Sequence, residues 1–170
     1  IPSAPAGSPQ PAGGDPDDSW IKGKPLPPVP VAPGPSDLGG GMTMRWELGP
    51  EALRAGREMS LAFDVRDSSG APVPLEPYMG MGAHAVVLRD DGSVFVHLHP
   101  MGTVSMASME RLPLASSEPM GSMGHAAHEE IASGRVSFPY AFPRSGPYRL
   151  WVQVKTAGVV RTGIFDVLVR

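Results

Sequence analysis

From Met42 onward, apolar and polar residues alternate in short runs that each end at Gly, Pro or Asp, a pattern that suits half-buried strands and not long helices. Met42, Met44, Trp46 and Leu48 alternate with Thr43, Arg45 and Glu47, and Met59, Leu61, Phe63 and Val65 alternate with Ser60, Ala62 and Asp64. Gly49-Pro50 and Asp67-Ser-Ser-Gly70 close these runs as turns, with one short helical turn expected within 50–57. After a loop broken by Pro72, Pro74 and Pro77, the pattern predicts strands at His84–Arg89 and Val94–His99, joined as a hairpin at Asp90-Asp91-Gly92. Three more follow at Arg135–Tyr140, Tyr148–Lys155 and Val159–Val169. About seven short strands over residues 42–170 predict an all-β, immunoglobulin-like (Greek-key) antiparallel sandwich. Its core should hold Trp46, Phe63, Val65, Val86, Leu88, Val96, Leu150 and Val152. Gly146-Pro-Tyr148, at the start of a long alternating strand, suits a tyrosine whose hydroxyl bonds back to the preceding turn at a sandwich corner.

Residues 1–41 are of another kind. They hold eleven of the 21 prolines and eight of the 21 glycines, so they form an extended, polyproline-like tail or linker and not a core. The tail is expected either to space the domain from a membrane anchor or to dock on a partner through isolated apolar residues, Trp20, Ile21, Leu26 and Val29. A chain that starts with Ile is expected to have lost or left out an upstream signal peptide or anchor. With 170 residues and 41% apolar content, the chain suffices for one core and not two. A net charge of -3 from scattered residues offers no basic stripe for nucleic acid. No apolar run is long enough to cross a bilayer.

The chain contains no cysteine, which excludes thiol catalysis, disulfides, iron–sulfur clusters, Cys-zinc sites and Cys-ligated blue copper. In contrast, all five histidines and seven of the ten methionines fall between Met79 and His128. Imidazole and thioether donors together suit copper better than other common ions, whereas the plain alternative is that the methionines fill a core or a loop. His97 and His99, two apart on a strand, share one face. Whether His84 joins them depends on the hairpin. A two-residue turn places it opposite His99, and a three-residue turn with left-handed Gly92 sends it to the other face. Grouping Val86 and Leu88 with Val94, Val96 and Leu98 favours the second. The long connection 100–134 adds Met101 and Met106, together with His125 and His128 on a short helix expected from Ser122 to Ala132. No phosphate loop, nucleophile elbow, zinc-protease motif or small-molecule substrate site stands out, so no enzyme is expected.

Gly82-Ala-His84-Ala-Val-Val, Asp91-Gly-Ser-Val-Phe-Val-His97-Leu-His99-Pro100 and Phe142-Pro-Arg-Ser-Gly146-Pro-Tyr148 together resemble extracytoplasmic β-sandwich domains of the YtkA-like type, related in architecture to FixH and CopC-type domains. The resemblance covers about residues 42–170. It implies a periplasmic or outer-surface location, attachment to a bacterial membrane protein, and copper handling with His84, His97 and His99 as the positions to test. Two functions follow as expectations. One is a non-enzymatic accessory domain with a His/Met copper site. The other is an extrinsic structural subunit or interaction module of a membrane complex, for example a respiratory or photosynthetic one, with the tail lying on the partner.

Overall fold

The computed structural model describes residues 33–49, 53–100 and 131–170. Eight strands build two four-stranded antiparallel sheets: β1 (Ser36–Gly39), β2 (Met42–Trp46), β3 (Glu58–Arg66), β4 (His84–Arg89), β5 (Phe95–Leu98), β6 (Arg135–Ala141), β7 (Gly146–Thr156) and β8 (Val159–Val169). The first sheet runs β1-β2-β3-β6 and the second β5-β4-β7-β8. The chain therefore changes sheets three times, after β3, β5 and β6.

Alternation explains the layers. Leu61, Phe63 and Val65 of β3 and Val136, Phe138 and Tyr140 of β6 face Leu150, Val152 and Val154 of β7 and Phe165 and Val167 of β8 in one core. Phe63 is the hub, with ring centroids 5.2 Å from Trp46, 6.1 Å from Phe138 and 5.1 Å from Phe165. At the corner before β7, the Tyr148 hydroxyl donates to the Arg144 carbonyl at 2.8 Å, as the Gly-Pro-Tyr pattern predicts.

Three sequence expectations need correction. The sandwich begins at Ser36 and not at Met42: β1 pairs with β2, and Leu38 is buried in the core. The Arg161 guanidinium donates to the Leu38 carbonyl at 2.8 Å, and Ser36 Oγ accepts from the Ile164 amide at 2.9 Å, so β1 is tied to β8 as well. Second, of the segment 50–57 expected to hold a helical turn, the described residues Leu53–Arg57 carry a turn and no helix, and 50–52 lie outside the described residues. Third, Val86 and Leu88 do not face the core. Ala85 and Val87 point inward with Leu98, while Val86 and Leu88 are half-buried on the outer face.

This third difference comes from the hairpin. Ala85 pairs with Leu98, Val86 with His97, Val87 with Val96 and Leu88 with Phe95. Arg89 N–H then donates to the Val94 carbonyl at 2.9 Å, which leaves the four residues Asp90–Ser93 as the loop. An even-length loop gives the same facing as a two-residue turn. The Asp91 carboxylate makes this loop favourable: it accepts from the Ser93 amide at 3.0 Å and is ion-paired to Arg89. Gly92 takes the one backbone angle there that a side chain resists, φ +71°.

Candidate metal centre

The register carries His84, on the outer face of β4, to a position across from His99, so the three-residue turn favoured by hydrophobic grouping is not the one adopted. Period-two alternation puts His97 of β5 on that same outer face, and His99, the second residue after it and just past the strand, continues the pattern. The three imidazoles converge, with ring centroids 5.4 Å apart for His84–His97, 5.1 Å for His84–His99 and 4.7 Å for His97–His99. One ring nitrogen from each lies within 4.8 Å of the others. An ion about 2.0–2.1 Å from each nitrogen spaces tetrahedral donors by roughly 3.3 Å, so the rings need to close by about 1.5 Å at most.

An outer-sheet histidine is normally solvated, yet His84 is only 5% exposed. The segment between β3 and β4 covers it. Leu75 N–H bonds the Ile131 carbonyl, Glu76 N–H bonds the Lys155 carbonyl, and Thr156 Oγ1 donates to the Pro74 carbonyl, which together pin the segment across the end of β7. The Glu76 carboxylate also accepts from the Gly158 amide at 3.0 Å. The chain so held presents Tyr78 edge-on to His84, with centroids 5.2 Å apart. Gly82 permits this path, since a Cβ there would lie 2.5 Å from Ile131 Cγ2. Sequence reasoning reads 72–83 only as a proline-broken loop, and nothing in its pattern marks Tyr78 as a neighbour of the histidines.

The electrostatics favour the neutral form of His84 and His97. Burial, then the neighbouring His97 and His99, pull the His84 pKa down to about 4. Burial, then His99, also lower that of His97. Neutral imidazole is the form that binds metal. Nδ1 of His84 and Nδ1 of His99 are buried without a hydrogen-bond partner among the described residues. Buried polar nitrogens are ordinarily satisfied, so two orphans in one cluster are consistent with donors awaiting an ion. Three imidazoles with a further position open is a chemically competent arrangement for a divalent or monovalent transition metal.

His84, His97 and His99 are thus the sequence-derived candidates that come together. Met101, Met106, His125 and His128 lie outside the described residues, as do the tail positions Trp20, Ile21, Leu26 and Val29. Comparison with curated proteins and with solved structures gives no match. Residues 37–170 do match a family model described as a domain of unknown function, DUF8832, and its start one residue into β1 agrees with the sandwich boundary. The chain belongs to the DUF8832 family.

Proposed function

We propose that this domain is a non-enzymatic metal-binding accessory module whose ion is copper, held by His84, His97 and His99. The observation that carries the reading is the convergence of three imidazoles, two with orphaned buried nitrogens, at the open end of the β4–β5 hairpin. Copper is favoured over zinc because Cu(II) binds nitrogen donors more tightly in the divalent series, and because soft thioethers are plentiful in a chain without thiols. The resemblance of this two-sheet antiparallel sandwich to extracytoplasmic copper-handling domains supports a periplasmic or outer-surface setting beside a membrane protein.

The test is metal analysis of the full chain after exposure to copper or zinc and removal of loose ions. Wild type should retain one equivalent of copper, and His97→Ala/His99→Ala should lose it with little change in unfolding midpoint, since β5 is an edge strand and both rings point away from the core. Unchanged stoichiometry in the double variant would rule out the site. Zinc retained in preference to copper would reassign the ion.

A further inference from the structure

The turn that leads into the histidine cluster is built on the wrong residue for its backbone. Tyr78 and Met81 are bonded to each other in both directions, Tyr78 N–H to the Met81 carbonyl at 2.6 Å and Met81 N–H to the Tyr78 carbonyl at 3.0 Å. The two residues between them, Met79 and Gly80, have φ of +49° and +79°. Positive φ at both central positions is the pattern of a type I′ turn, where Asn-Gly is the usual pair and an unbranched apolar side chain costs about 1 kcal/mol. Burial does not compensate for that cost. Met79 is 73% exposed, more than any other large apolar residue among those described. Ala157 takes the same φ of +49° in the β7–β8 turn, so the angle alone does not mark a site; what sets Met79 apart is that this costly position carries a large apolar side chain and leaves it in solvent.

The location supplies the reason. Tyr78, the residue before Met79, rests its ring against His84, so the turn stands at the edge of the cluster. Three imidazoles leave a four-coordinate ion with one position to fill, and a chain without cysteine offers a soft donor only as a thioether. We infer that Met79 is the thioether ligand of this centre, held outward on the Tyr78–Met81 turn to meet Cu(I) from a soft-donor source and share it with the histidines. This inference rests on the metal-binding reading and specifies its ligand set and oxidation state. Transfer of this kind is ligand exchange: the source's Cu–S bonds break as Cu–S and Cu–N bonds form here, the source's sulfur donors leave, and copper stays Cu(I) throughout.

The experiment compares wild type with Met79→Leu, Met79→Asn and Met81→Leu. Cu(I) affinity would be read by competition with a chromophoric Cu(I) chelator, Cu(II) affinity by competition with an amino-acid chelator, and sulfur ligation by X-ray absorption of the Cu(I)-loaded chain. Both Met79 variants should lose the sulfur scatterer and weaken Cu(I) by about tenfold or more, with Cu(II) affinity within about twofold of wild type. Met79→Asn suits the left-handed position and should raise the unfolding midpoint while losing Cu(I), a combination that a purely structural role for Met79 would not produce. Sulfur ligation that survives in both Met79 variants, or that disappears in Met81→Leu alone, would overturn the assignment while leaving the histidine site intact. A wild-type chain that takes up neither copper ion would overturn both readings.

Discussion

His84 is where burial, charge and chemistry meet in a single side chain. A histidine whose pKa falls to about 4 on folding, from an ordinary value of 6.5, is neutral in the folded protein throughout the near-neutral range. Above about pH 7 the folded and unfolded states bind the same number of protons at this residue, so it leaves stability unchanged. As pH falls from 6.5 toward 4 the unfolded chain takes up the proton first, and stability drops by up to about 3 kcal/mol. Urea unfolding of the metal-free protein at pH 7 and pH 4.5 checks this. The acid loss should be smaller in His84→Gln, which cannot titrate. Low proton affinity at His84 also means that protons compete weakly with a metal for this one ligand.

At the scale of strands, the β4–β5 hairpin decides which residues are core and which are site. Alternation in β2, β3, β6, β7 and β8 was readable because each has one face in the core, and the Tyr148 corner was readable because Gly-Pro-Tyr occupies a sharply constrained turn. β4 misled for a physical reason. Its outer face is not a solvent face: Tyr78 covers His84, and Val86 and Leu88 stand across from Trp151 and Arg149, the latter buried in a two-pronged ion pair with Asp166 at 2.6 and 2.7 Å. With apolar residues on both faces, hydrophobic grouping carries no facing signal, and the Asp91-capped loop settles the register. The His97/His99 pair was legible from spacing alone, whereas the capture of His84 depends on loop length and on a covering segment that leave little trace in pattern. Facing can be tested directly. Val87→Asp should unfold the domain or cost more than about 4 kcal/mol by burying an unpaired charge, while Val86→Asp, one residue away, should cost about 1–2 kcal/mol. Equal costs by thermal unfolding would contradict the register.

For the whole molecule, the boundary lies within the segment that composition assigns to the tail. β1 contributes Leu38 to the core and receives bonds from Arg161 and Ile164 of β8, so it closes the sandwich on the side away from the histidines' edge strand. Deleting residues 1–35 should leave the unfolding midpoint near that of the full chain, whereas deleting 1–41 should cost roughly 2–3 kcal/mol through loss of one buried leucine and its strand. Matching midpoints for the two truncations would show β1 to be dispensable. The sandwich so closed supports the β4–β5 hairpin, and the metal-binding reading requires His84, His97 and His99 to bind one ion together. Electron paramagnetic resonance of the full chain with one equivalent of Cu(II) reads that ligand set directly. A single bound species coupled to three imidazole nitrogens is expected, replaced by free copper signal in His84→Ala/His97→Ala/His99→Ala; the same bound spectrum in that triple variant would rule out the shared site.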